Sequence, residues 1–172
     1  MPETATNEAG EMIVPGPGQE RALRDALGRF GTGVTVVTCA TATGPLGITA
    51  NSFASVSLDP PLILWSPAKS SSRYPFYAAA RHFAVHVMGA EQFDICRGFA
   101  RSGDAFDGLD WSVTAEGVPA IAGCLARFEC EKVAEHEGGD HLIVVARVLR
   151  AEAREGAPLI FYGGSYGGFA GS

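Results

Sequence analysis

The stretch GITANSFASVSLDPPLILWS (47–66) decides how the rest of the chain is read. From Gly47 to Leu58 it alternates like one strand. Ile48, Ala50, Ser52, Ala54, Val56 and Leu58 share a small or apolar face, and Thr49, Asn51, Phe53, Ser55 and Ser57 share the other. That second face has none of the Lys, Glu or Arg that a water-facing strand usually carries. Asp59-Pro60-Pro61 predicts a turn, because neither proline can donate to a ladder. LILW (62–65) then reads as a buried strand. The question is what a row of neutral hydrogen-bonding groups faces.

Working outward, VTVVTCA (34–40) is β-branched and strand-like, and TATGPLG (41–47) closes a hairpin into the central stretch. Before it, Leu23, Ala26, Leu27 and Phe30 fall at i, i+3, i+4 and i+7, the apolar face of a short helix ended by Gly31 and Gly33. Residues 1–19, with PGPG at 15–18, read as a flexible arm, so residues 20–172 form the single domain expected of this length. On the other side, the pattern predicts a helix over 70–80, a strand over 82–88, a helix over 91–101 and a polar loop over 102–111. A long strand over 124–136 turns at Glu137-Gly138-Gly139-Asp140 and returns over 141–153, and LIFY (159–162) is a last strand. Six or seven strands with only short helices predict a mainly β fold, a small antiparallel barrel.

Charge and composition exclude several functions. The net charge is −6, and residues 1–20 hold four glutamates and no basic residue. The remaining 152 residues carry 13 basic against 15 acidic side chains, with no basic stripe to follow a phosphate backbone, so no nucleic-acid partner is expected. No apolar run has bilayer length, and the acidic start does not resemble a signal peptide; a cytoplasmic protein without a membrane partner is expected. Cys39, Cys96, Cys124 and Cys130 have no zinc spacing and are expected to be buried thiols. His82 and His86 would stand about 13 Å apart along a strand, too far to share a metal, so none is expected.

Two features can hold a ligand. The Thr49–Ser57 row repeats about every 7 Å and suits a flat heterocycle with several edge heteroatoms, such as an isoalloxazine. It equally suits a half-buried strand whose hydroxyls satisfy neighbouring backbone. In AKSSSRYPF (68–76), Ser70 to Ser72 would cap a helix with Pro75 in its first turn, and Lys69 and Arg73 add positive charge, a combination that suits an anion. An ordinary capped surface helix has the same pattern. Together, a ring site and a phosphate site have the anatomy of a flavin mononucleotide site. There is no GxGxxG after a strand, no phosphate loop and no GxSxG elbow, so a nicotinamide dinucleotide would bind without a Rossmann domain.

GRFGTGVTVVT (28–38), the 47–66 stretch, FAVHVM (83–88), FDGLDW (106–111), GGDHLIVVARV (138–148) and PLIFYGGSYGGF (158–169) occur in this order. Over residues 20–169 the chain resembles the short-chain flavin reductases, the small components of two-component flavin-dependent monooxygenases. The resemblance implies an FMN-binding split β-barrel, Greek-key-like and homodimeric, with the ring near the subunit interface. It implies hydride transfer from NADH or NADPH to FMN or FAD, and delivery of reduced flavin to a partner monooxygenase. Carried over by position, Thr49, Ala50, Asn51, Ser52, Ser55, Val56 and Ser57 would line the isoalloxazine and ribityl chain. Lys69, Ser70, Ser72 and Arg73 would hold the phosphate, His141 would position the nicotinamide, and Tyr162 and Tyr166 would close over it. No side chain is expected to be catalytic, because the hydride passes directly between cofactors. Gly31 departs from the family's frequent proline, and the YGGSYGGFA tail lacks its usual basic residues. The competing expectations are a flavin carrier or sensor without turnover, which an altered GGDH would favour, and an oxidase of a phosphorylated amine, which would need a second basic cluster.

Overall fold

The computed structural model describes residue 10 and residues 12–171. Most of the predicted arm therefore lies outside the described residues; 12–19 is irregular chain with a turn at Gly18. The elements in order are α1 (Glu20–Leu27), β1 (Thr32–Gly33), β2 (Thr35–Thr41), β3 (Gly44–Ala50), β4 (Ala54–Leu58), β5 (Pro61–Trp65), α2 (Tyr74–Ala79) and β6 (His82–Val87). A 3₁₀ turn (Ala90–Gln92) leads into α3 (Phe93–Arg101), then β7 (Trp111–Val113), β8 (Pro119–Ile121), β9 (Ala126–Gly138), β10 (His141–Ala153), β11 (Leu159–Tyr162) and β12 (Ser165–Gly168).

Seven strands form an antiparallel sheet in the order β3-β2-β6-β9-β10-β5-β4. Its two edges, β3 and β4, are consecutive in sequence and joined only by Asn51, Ser52 and Phe53. The expected barrel is thus present with a seam where β3 and β4 fail to pair. β1, β11 and β12 make a small three-stranded sheet, and β7 and β8 a short hairpin.

β2 explains how one sheet divides two cores. Its β-branched run is buried from Thr35 to Cys39, as fits a strand covered on both faces. Val37 and Cys39 join Ile63, Trp65, Tyr77, Phe83, Val85, Leu142 and Val144 inside the barrel. Val34 and Val36 face the second core, with Met88, Cys96, Phe99, Phe106, Ile121 and Leu159. Tyr77 donates from its hydroxyl to the Val37 carbonyl (2.7 Å), fixing α2 over the barrel end. The four cysteines are free and buried, and desolvation pushes Cys39, Cys96 and Cys130 up to about 12. Among the described residues no helix is long and apolar enough to cross a membrane.

Two expectations need correction. The predicted 47–58 strand is two strands, broken at 51–53, where the chain leaves one sheet edge for the other. The helix expected over 70–80 begins only at Tyr74, since residues 70–73 form turns and a bend and Pro75 fits the first helical turn. LILW, read as a buried strand, and FAVHVM supply Ile63, Trp65, Phe83, Val85 and Met88 to the two cores.

Candidate functional site at the barrel seam

β3 is an edge strand, so the backbone groups on its outer side have no ladder partner. Its last residues, Ile48, Thr49 and Ala50, together with Asn51, line a cavity of about 250 Å³. Val34, Arg73, Ala100, Phe161 and Tyr166 complete it. α3 and β11–β12 bring the last three there, over a distance in sequence no local pattern records. Val34, Ile48 and Phe161 make an apolar floor, while Asn51, Arg73 and Tyr166 offer polar atoms at the rim. Tyr166 packs edge-on against Phe161 (5.1 Å between centroids) and Phe93 (5.1 Å).

The hydroxyl row does not act as one ladder. Thr49 Oγ1 donates to the Cys96 carbonyl (2.6 Å), tying β3 to α3. Ser52 Oγ donates to the Ser66 carbonyl (3.2 Å) and accepts from the Ser66 amide (2.9 Å), closing the turn out of β3. Phe53 stacks on Phe128 at 5.6 Å rather than sharing a face with the hydroxyls. Ser55, Val56 and Ser57 lie on β4, where the register shifts between Ser55 and Ser57, a bulge at Val56. They do not line the cavity.

The cationic group is arranged differently from its sequence reading. Arg73 reaches the cavity, but its guanidinium donates to the carbonyls of Gly47 (3.0 Å), Phe99 (2.5 Å) and Ala100 (3.3 Å). It is a rivet between β3 and α3. The serines do not cap α2 through side-chain bonds; the Arg73 amide donates instead to Ser71 Oγ (3.2 Å). Lys69 is paired with Glu137, which raises its pKa. Ser70 and Ser72 are exposed and outside the cavity lining.

His141 stands at the start of β10, its Nδ1 2.7 Å from Asp140 Oδ1. The histidine holds the Asp140 carboxyl below its usual range. The Lys69 amide donates to the Asp140 carbonyl (2.9 Å), and the Leu142 amide to the Pro67 carbonyl (3.1 Å). These bonds clasp the 67–69 segment onto the β9–β10 turn, so Lys69 and His141 are neighbours, apart from the cavity's own lining. Tyr162, half exposed, also lies outside that lining. Of the residues singled out in the sequence, the cavity unites Thr49, Ala50, Asn51, Arg73 and Tyr166. It adds Val34, Ile48, Ala100 and Phe161, whose sequence signal was only that of core residues.

An apolar floor beside an unpaired strand edge accepts a planar aromatic ring, and no carboxylate or imidazole lines it to act as acid or base. The comparisons agree with that chemistry. The model of the "Flavin reductase like domain" matches residues 27–170. FMN reductase (NADH) SmoA of Agrobacterium fabrum is 58% identical over 159 residues, covering 92% of this chain and 91% of that protein. The flavin-dependent monooxygenase reductase subunit HsaB of Rhodococcus jostii is 40% identical over 162 residues, covering 93% and 80%. The solved NADH:FAD oxidoreductase SgcE6 of Streptomyces globisporus superposes with a TM-score of 0.85 at 40% identity, covering 95% of each chain. A likeness this extensive, carried by a split sheet with a ring-sized cavity at its seam, has one meaning: the chain belongs to the flavin reductase-like domain family and is a flavin oxidoreductase.

Proposed function

We propose that the chain transfers a hydride from NADH to FMN or FAD at the β3–β4 seam and supplies reduced flavin to a monooxygenase partner. The observation that carries this reading is the apolar-floored cavity, lined by no carboxylate, against an unpaired strand edge. Bound flavin would supply the redox chemistry. The chain's own part is geometric. Phe161 and Tyr166 would wall the ring, and the outer backbone groups of Thr49 to Asn51 would bond its polar edge. His141, oriented by Asp140, would position the dinucleotide rather than move a proton. Ser52, Ser55, Val56 and Ser57 border the same seam and remain proposed contacts for the rest of the flavin. Lys69, Ser70 and Ser72 remain proposed contacts for its phosphate, and Tyr162 for the dinucleotide.

Two further parts belong to the proposal. The enzyme works as a homodimer, with the exposed apolar face of α1 among the surfaces covered. It resides in the cytoplasm, where four buried thiols stay reduced. Residues 1–19 serve as an arm and residues 20–172 as the reductase domain.

The test is NADH consumption, followed by absorbance, with and without FMN, FAD or riboflavin. Turnover dependent on added flavin is expected. Flavin bound without any NADH consumption would identify a carrier instead. In the same assay His141→Ala raises the KM for NADH about tenfold or more and leaves kcat within a few fold. A lost kcat at unchanged KM would overturn the positioning role.

A further inference from the structure

Phe161 also lines another pocket, of about 390 Å³. It is lined by Arg24, Asp25, Gly28, Arg29, Phe161, Gly163 and Gly164, between the end of α1 and the β11–β12 turn. Gly163 and Gly164 have φ of 56° and 82°, and a Cβ at either would meet nothing within 4 Å. Backbone therefore forms that wall, with open space before it. The Gly163 amide donates to the Gly28 carbonyl (2.9 Å), which fixes the turn against the helix end.

Among the described residues Arg21, Arg24, Arg29, Arg101 and Arg147 are without an ion pair, and of these only Arg24 and Arg29 line this pocket. Lys69, Arg81, Arg97, Arg127, Lys132, Arg150 and Arg154 each pair with a carboxylate. Arg73 is held by three carbonyls. Arg24 and Arg29 make no ion pair or side-chain hydrogen bond among the described residues, although Asp25 lines the same pocket. Two guanidiniums and one carboxylate leave it net positive in a chain of net charge −6.

We propose that this pocket is an anion subsite, in which Arg24 and Arg29 take a phosphate ester belonging to a ligand whose ring lies in the seam cavity. Guanidinium forks suit phosphate oxygens. Phe161 borders both spaces, so a phosphate joined to the ring through a short polyol or ribose comes within reach. Lys69 is paired with Glu137 and Arg73 is held by three carbonyls, whereas Arg24 and Arg29 line their pocket without such partners among the described residues. The proposal rests on the flavin reductase reading, and the phosphate is either the dinucleotide's or the flavin's.

Calorimetric titration of the ligand-free chain with inorganic pyrophosphate tests it, using Arg24→Gln/Arg29→Gln, Arg24→Lys/Arg29→Lys and Asp25→Asn. The Gln pair should weaken binding about tenfold or more, the Lys pair should keep most of it, and Asp25→Asn should tighten it. If the Gln pair melts early, the Lys pair and Asp25→Asn carry the test. Kinetics then identify the source. A raised KM for NADH with both riboflavin and FMN assigns the dinucleotide's pyrophosphate, and a raised KM for FMN but not riboflavin assigns the flavin's phosphate. Absence of pyrophosphate binding to the unmodified chain, equal affinity in the Gln pair, or unchanged KM for NADH and FMN overturns the subsite. A chain that consumes no NADH with any flavin would instead defeat the reductase reading, while the pyrophosphate titration would still report on the arginines.

Discussion

The imidazole of His86 is completely enclosed. Its Nδ1–H donates to the Val36 carbonyl (2.9 Å), and its Nε2 accepts the Ile121 amide (3.0 Å). Beside it, Thr38 Oγ1 donates to the Pro119 carbonyl (2.5 Å), so the two side chains fasten the β7–β8 hairpin to the main sheet. Burial pushes the His86 pKa down to about 4, helped by the Arg127 charge and opposed by the Val36 bond. The unfolded chain has an ordinary histidine near 6.5. Above that pH both states are neutral and the stability is complete. Between 6.5 and 4 only the unfolded state takes up the proton, so stability falls with pH, by about 3 kcal/mol over the window. Urea unfolding at pH 7, 5.5 and 4.5 should therefore show a slope that His86→Gln lacks. Equal slopes would mean that His86 is not the group responsible. Sequence alone gave His86 only a distance from His82; that it clamps a hairpin depended on Ile121, thirty-five residues away.

Gly47 shows why β3 and α3 meet as closely as they do. A Cβ on it would lie 2.5 Å from two ring carbons of Phe99, while its amide donates to the Gly103 carbonyl and its own carbonyl accepts from Arg73. Gly47→Ala should push α3 outward, cost about 1–3 kcal/mol and weaken flavin binding, because Ala100 and Thr49 line the cavity from the two displaced elements. A chemical melt together with a flavin titration checks both effects. Arg73→Lys should also destabilise, since one ammonium cannot reproduce a fork that reaches three carbonyls. The β9–β10 hairpin was legible almost to the residue, because two long runs flanked EGGD. The 47–58 alternation misled for a physical reason. The period of two continues across Asn51–Phe53, but the chain there moves from pairing with β2 to pairing with β5, and periodicity does not record partners. β12 escaped notice because Gly167 and Gly168 give it little strand propensity; its pairing comes from the two-glycine turn at 163–164.

Several large apolar side chains are exposed among the described residues. α1 carries Leu27 at 67% exposure with Phe30, at 79%, just beyond it, although their spacing is that of a core-facing helix; α1 buries no residue at all. The sequence pattern was right about amphipathicity and silent about what it faces. Exposure of this kind suits a second copy of the chain. Light scattering should give twice the chain mass, and Leu27→Glu/Phe30→Glu should lower it toward one chain without unfolding it, since neither side chain is part of a core. An unchanged mass would locate the interface elsewhere.

The open seam also sets where the molecule loosens first. Along β2, β6, β9, β10 and β5 each strand is flanked on both sides, whereas β3 and β4 are each held from one side only. Their outward amides should exchange with deuterium by small local fluctuations, long before those of β6 or β9. Ligand occupying the gap would act as a temporary eighth strand, and the slowing of exchange at Thr49 and Asn51 would measure how firmly it is gripped.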